Sequence, residues 1–204
     1  MGDKTAIEWT RGDDGSPGAT WNPIRARHRV TGKVGWACTK VSPGCTACYA
    51  ERLNRVRGTG ADYTAPALKD VELFLDETML SQPLRWTRPR RIFVCSMTDL
   101  FLEQVPDEWI DRIFAVMAMV QQHTFQILTK LADRMQAYFA PGQFRDVKVY
   151  GAAGVRTPLP SWPLPNVGIG VSVETPKYYD RIEQLRRTSA AVRFLSLEPL
   201  LAPM

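Results

Sequence analysis

Short apolar runs alternate with amphipathic segments along the second half of this chain. Four apolar runs, each bounded by polar or turn residues, suit buried strands of a parallel sheet: 92–95, 125–128, 167–171 and 194–197. Helical patterns lie between them, over 106–122, 131–139 and 176–187. This alternation of strand and helix predicts a parallel α/β fold.

Two other segments have distinct patterns. The stretch 25–33 is basic and suits a short hairpin that turns at Thr31 and Gly32. The stretch 140–166 contains five prolines and a Gly-Ala-Ala-Gly run, which predicts an irregular excursion from the α/β pattern.

Polar residues follow each of the four predicted strands. Ligands of parallel α/β folds bind at the carboxyl ends of the strands, where such residues meet. We therefore expect one shared binding site there, with these candidate residues: Ser96, Asp99, Thr129, Lys130, Ser172, Glu174 and Glu198.

Length and composition indicate an ordinary globular protein. The 204 residues fit one domain, and 45% of them are hydrophobic. We see no apolar run approaching the roughly 18 residues of a membrane span, and no apolar signal core at the N-terminus. The sequence therefore predicts a cytoplasmic protein without a membrane partner.

Positive charge is concentrated in the first half of the chain. Residues 1–91 hold 15 Lys and Arg against 10 Asp and Glu, which accounts for the whole net charge of +5. The excess forms two patches, either phosphate-binding or simply solvated: Arg25, Arg27, His28, Arg29 and Lys33, then Arg85, Arg88, Arg90 and Arg91.

Three cysteines form the densest chemical motif. Cys38, Cys45 and Cys48 have the spacing C-x6-C-x2-C, and the next cysteine, Cys95, is far along the chain. A closed structural metal site takes four protein ligands, whereas three leave one position open. The residues alone allow zinc completed by His28 or Cys95, a 4Fe–4S cluster with one open iron, or a loose trio of thiols.

Several motifs, in order and over nearly the whole chain, resemble one family. They are the segments 7–10 (Ile-Glu-Trp-Thr), 20–23 (Thr-Trp-Asn-Pro), 38–53 with the cysteines, 97–101 (Met-Thr-Asp-Leu-Phe), 126–130 (Gln-Ile-Leu-Thr-Lys) and 193–201. The sequence is similar to a radical-SAM-like family of phages and mobile elements that has a three-Cys motif. It is more distantly similar to spore photoproduct lyase.

The resemblance implies a partial TIM-type barrel of βα units, with the three cysteines binding a 4Fe–4S cluster in its first loop. S-adenosylmethionine would chelate the fourth iron, and one electron would cleave it to a 5′-deoxyadenosyl radical. Lys130 would neutralise the cofactor carboxylate. The other strand-end residues would contact its ribose and amine or the substrate, which is unknown and possibly a nucleic acid. A flavodoxin-like or ferredoxin-like protein would supply the electron.

The chain also departs from the family pattern. A basic insertion, 24–37, precedes the cysteines, and we expect Arg25, Arg27, Arg29 and Lys33 to contact nucleic acid through phosphates. The family continues with a further strand and helix, so the resemblance implies a barrel short of its last unit that a partner chain completes. The alternatives are a non-enzymatic protein that binds zinc or a structural cluster, and a truncated, inactive remnant.

Overall fold

The computed structural model describes residues 5, 7–12, 15, 17–143, 145–154 and 161–203. Its centre is a parallel five-stranded sheet in the order β1-β5-β6-β7-β8. The strands are β1 (Ala19–Trp21), β5 (Arg91–Val94), β6 (Thr124–Thr129), β7 (Val167–Ser172) and β8 (Val192–Ser196). The predicted parallel α/β fold and its four strands are confirmed. Strand β1 was not predicted, because three residues are too few to show a pattern.

The described residues form six α-helices. They are α1 (Tyr49–Arg57), α2 (Glu77–Leu80), α3 (Asp107–Met119), α4 (Ala132–Tyr138), α5 (Arg145–Ala153) and α6 (Asp180–Arg187). Alternate strand residues such as Ile92, Phe125 and Ile169 join the core formed by α3 to α6. Within the described residues the sheet does not close into a barrel.

Helix α5 overturns part of the predicted excursion at 140–166. It packs against α3, and its first residue, Arg145, is buried with ion pairs to Asp107 and Asp111. The prediction was wrong because four of the five prolines fall after this helix, and residues 155–160 lie outside the described part of the chain. The buried ion pairs that fix the helix have no local sequence signal.

A smaller antiparallel sheet, in the order β3-β2-β4, carries the basic hairpin. Strand β2 (Ile24–His28) pairs with β3 (Val34–Gly35), as the hairpin prediction required, and also with β4 (Val71–Leu75), which was not predicted. The hairpin leads directly from β1 to the cysteine segment. The second basic patch, 85–91, runs up to the first residue of β5 and so lies at the amino end of that strand, away from the predicted site.

The other face of the main sheet has a different composition. Phe93, Gln126 and Gly168 lie side by side in register on β5, β6 and β7. At Gly170 a Cβ atom would stand 2.4 Å from the ring of Phe194, so this glycine admits the aromatic side chain. Trp9 packs on the same face, with its ring centroid 4.7 Å from that of Phe93.

We find no helix among the described residues that is long and apolar enough to cross a membrane.

Candidate functional site

The carboxyl ends of the parallel strands border a cavity of about 440 Å³. All three cysteines of the motif line it. So do six of the seven strand-end candidates: Ser96, Asp99, Thr129, Lys130, Ser172 and Glu198. These residues lie up to 160 positions apart in the chain. They therefore meet at the edge of the sheet where the alternation of strands and helices predicted a shared site.

The cysteine segment runs from β3 to α1 along one side of this cavity. A 3-10 turn, Pro43–Cys45, carries the second cysteine, and the third, Cys48, is the residue that precedes α1. The proline at the start of the turn fixes its backbone. At Gly44 a Cβ atom would stand 2.4 Å from a carboxylate oxygen of Glu174, so the turn needs glycine to come this close.

Glu174 is the candidate that the structure places outside the cavity lining. It is fully buried, and its carboxylate accepts a hydrogen bond of 2.5 Å from the Ser42 hydroxyl and one of 3.0 Å from Arg181. The Nζ of Lys130 lies 3.8 Å from the same oxygen that Ser42 contacts. Glu174 thus connects the cysteine turn, helix α6 and the end of β6.

Asp99 organises the end of β6. Its carboxylate accepts hydrogen bonds from the Thr129 hydroxyl at 2.7 Å and from the backbone N–H groups of Phe101 and Lys130 at 3.0 Å. Burial raises the pKa of Asp99, although these hydrogen bonds and the charge of Lys130 oppose the change. The arrangement fixes the backbone from which the Lys130 side chain reaches the cavity.

A second buried carboxylate fastens the other side of the cysteine segment. Glu51 of α1 is 3% exposed, pairs with Lys40 at 2.8 Å and accepts from the Tyr63 N–H at 3.0 Å. The Thr98 hydroxyl donates to the Ala37 carbonyl, which joins the segment to the loop after β5. The cysteine segment is therefore anchored at three points.

The loop after β5 is held by side chains from three other elements. Asn22, just after β1, accepts from the Met97 N–H at 2.9 Å and bonds the Ser96 hydroxyl. The hydroxyls of Tyr49 and Tyr63 donate to the Ser96 and Met97 carbonyls, at 2.8 and 2.6 Å. These hydrogen bonds shape the cavity wall opposite Lys130.

A family model described as "Protein of unknown function (DUF5131)" matches residues 4–204. The chain belongs to this family. No curated protein and no solved structure matches the DUF5131 chain.

The thiols of this DUF5131 protein differ in their surroundings. Burial, followed by the negative charge of Asp99, raises the pKa of Cys38. The same two causes raise the pKa of Cys95, which is buried and also lines the cavity. Among the described residues, Cys95 is the one non-glycine with positive φ, at 56°. A thiol in such surroundings gives up its proton when a metal cation replaces it.

The donor atoms at the DUF5131 cavity include three thiols, the ligand type that both iron–sulfur clusters and zinc take. The described residues contain no group of three or more His, Cys, Asp or Glu side chains arranged around one ion position. The three thiols border one cavity of about 440 Å³, a volume in the usual range for small ligands.

Sequence reasoning missed two residues of the DUF5131 site. Glu51 lies on a helix face whose pattern indicates exposure to solvent, and Ser42 has no pattern of its own. The signal for Ser42 is its position directly before a Pro-Gly turn. The burial of the Glu51 carboxylate becomes evident only when the position of its partner Lys40 is known from the structure.

Proposed function

We propose that this DUF5131 protein is a radical-SAM-type iron–sulfur protein, with Cys38, Cys45 and Cys48 as the ligands of a 4Fe–4S cluster. The observation that carries the proposal is the shared cavity. The three thiols line it together with Lys130 and the polar ends of β5, β6, β7 and β8. Three thiolates leave one iron for S-adenosylmethionine, and the bound cofactors supply one-electron cleavage of the sulfonium C–S bond.

In this scheme the residues of the chain bind the cofactor and hold it in position. Lys130 places a cation at the cavity, where it neutralises the cofactor carboxylate. Ser96, Ser172 and Glu198 offer hydroxyls and a carboxylate to its ribose and amine. Asp99 and Thr129 bond each other at 2.7 Å, and so act mainly by holding Lys130 in place.

The same proposal extends to the fold. A run of parallel strands with a ligand cavity at the carboxyl ends is what a partial TIM-type barrel would present. Strand β8 forms one edge of the sheet and exposes Val192 and Leu195. Another chain that covers β8 would remove an open strand edge, whose unpaired backbone groups could otherwise pair with other strands.

For the substrate we propose a nucleic acid that contacts the hairpin. Lys33 is exposed at its tip, while the three arginines are partly engaged: Arg25 stacks on Trp36, Arg27 lies over Phe74, and Arg29 donates to the Lys69 carbonyl. Such packing holds guanidinium groups in fixed positions and leaves other N–H groups for phosphates. Binding of a labelled oligonucleotide should weaken steeply as salt rises, and salt-insensitive or absent binding would remove this substrate class.

The test of the cluster is anaerobic purification followed by iron and sulfide analysis. We expect about four irons and four sulfides per chain, the content of one 4Fe–4S cluster. Cys45→Ala should lose most of both, and Cys95→Ala should keep both as the matched control. Colourless protein that carries zinc on the same cysteines would instead support the non-enzymatic metal-binding alternative.

A further inference from the structure

Helix α1 buries polar residues and exposes apolar ones, which is the reverse of an ordinary surface helix. Its buried residues are Ala50, Glu51 and Asn54, of which two are polar. Its exposed side carries Tyr49, Leu53 and Val56, which are 44%, 40% and 82% exposed. A surface helix ordinarily buries its apolar stripe and exposes its polar one.

The buried polar residues explain how the helix is held with Ala50 as its single buried apolar side chain. Asn54 accepts from the Trp36 and Thr59 N–H groups at 3.0 and 3.1 Å and donates to the Ala61 carbonyl at 2.9 Å. Glu51 pairs with Lys40 at 2.8 Å. Hydrogen bonds to these two side chains replace apolar packing, which leaves the three apolar side chains without a role in the core.

The exposed residues form one stripe. Positions 49, 53 and 56 follow the spacing i, i+4, i+7, so they lie on one side of the helix over about 10 Å. Arg52 and Arg57 flank the stripe on its two sides and make no ion pair within the described part of the chain. An apolar centre with a charged rim is the anatomy of a protein interface.

The stripe begins at the cysteine cavity. Tyr49 directly follows Cys48, lines the cavity and donates its hydroxyl to the Ser96 carbonyl. A protein seated on this end of α1 would therefore stand beside the cavity that the three thiols line, and electron transfer depends steeply on distance.

We propose that this face, formed by Tyr49, Arg52, Leu53, Val56 and Arg57, docks a small acidic electron-carrier protein. The inference rests on the proposed function, which requires a reductant at the cluster. One electron passes from the reduced carrier, which is oxidised by one electron, to the oxidised cluster. The unpaired arginines favour an acidic partner and speed its encounter. The aliphatic centre favours a protein over a nucleic acid, because Leu53 and Val56 offer neither a stacking ring nor a phosphate contact.

The test uses a purified acidic flavodoxin as the probe and the intact protein as prepared anaerobically. Titration calorimetry at low salt should show saturable binding that weakens as salt rises. Val56→Asp and Arg57→Glu should each raise the dissociation constant about tenfold or more, as expected for residues of an interface centre and its charged rim. Val147→Asp on α5 and Arg187→Glu on α6, both at exposed positions, are the matched controls and should leave it unchanged.

A second readout separates docking from cluster chemistry. Cluster reduction by dithionite, which needs no docking, should proceed equally in the wild type and in Val56→Asp, whereas reduction by flavodoxin should slow only in the variant. A wild type without iron would refute the proposed function. A full cluster, with flavodoxin binding absent or unchanged by Val56→Asp and Arg57→Glu, would refute the docking face alone. Self-association that Val56→Asp abolishes, or loss of oligonucleotide binding alone, would likewise overturn it.

Discussion

Removal of the negative charge of Glu174 should loosen the cysteine segment and destabilise the fold. The carboxylate is fully buried and is bonded by Ser42 at 2.5 Å and by Arg181 at 3.0 Å, with Lys130 at 3.8 Å. Glu174→Gln keeps the shape of the side chain. It also turns an N–H donor toward one of these donors, so one hydrogen bond is lost along with the charge.

The expected cost follows from the burial of the pair. Arg181 is only 5% exposed, so its charge would be left without a partner. Breaking a buried ion pair costs about 3 to 5 kcal/mol. Because the amide oxygen keeps one of the hydrogen bonds, we expect about 3 kcal/mol. For a chain of 204 residues, about 3 kcal/mol lowers the melting temperature by roughly 6 to 12 °C.

Glu183→Gln is the matched control. Glu183 pairs with Arg186 on the exposed side of α6 at 2.9 Å, with side chains 57% and 71% exposed. Such an exposed pair contributes less than about 0.5 kcal/mol. Urea unfolding and calorimetry on both variants at neutral pH compare a buried and an exposed glutamate of the same segment.

Two results would refute this reasoning. Melting of Glu174→Gln at the wild-type temperature would mean that Ser42 and Arg181 do not depend on the charge. Alternatively, both variants could lose the same stability, which would mean that burial is not the cause.

Three further predictions concern the same site. Gly44→Ala should cost about 1 to 3 kcal/mol and reduce iron content, because its Cβ would overlap Glu174, whereas Gly151→Ala on α5, where nothing lies within 4 Å, should be neutral or stabilising in thermal unfolding. Lys130→Met should weaken S-adenosylmethionine binding at least about tenfold in calorimetry while iron content stays constant; unchanged binding would remove the role of Lys130. Burial raises the pKa of Glu51, but Lys40, the Tyr63 N–H and Arg55 hold it below its ordinary 4.5. The stability from this depressed pKa is therefore present above 4.5 and lost as pH falls through the folded pKa, so wild type and Glu51→Gln should converge in urea unfolding as the pH falls well below 4.5; a constant difference would contradict this.

Strands and helices of the second half were predictable because their apolar residues either form short continuous runs or recur with a helical period. The runs of β5, β6 and β7 are largely buried, whereas β8 is an apolar run at the exposed edge of the sheet, and each run is followed by polar residues. The position of the cavity could be predicted from the sequence for the same reason. Parallel strands bring Ser96, Lys130 and Ser172 to one edge regardless of the loops between them.

Other features depend on contacts that have no local period. Helix α5 is fixed by Arg145 and its buried carboxylates, and α1 by Asn54 and Glu51. A polar residue in a helical sequence pattern is interpreted as solvent-exposed unless the position of its hydrogen-bond or ion-pair partner is known. The sequence therefore predicted which residues meet at the cavity, but not that Glu174 would stand behind it as a support for the cysteine turn.

The most direct test of the central claim is the release of 5′-deoxyadenosine by the anaerobically reconstituted protein. We expect its formation with dithionite and S-adenosylmethionine, dependent on Cys38, Cys45 and Cys48 and retained in Cys95→Ala. Protein that carries a full cluster yet forms no 5′-deoxyadenosine and shows no change in its reduced-cluster spectrum on addition of S-adenosylmethionine would contradict the claim.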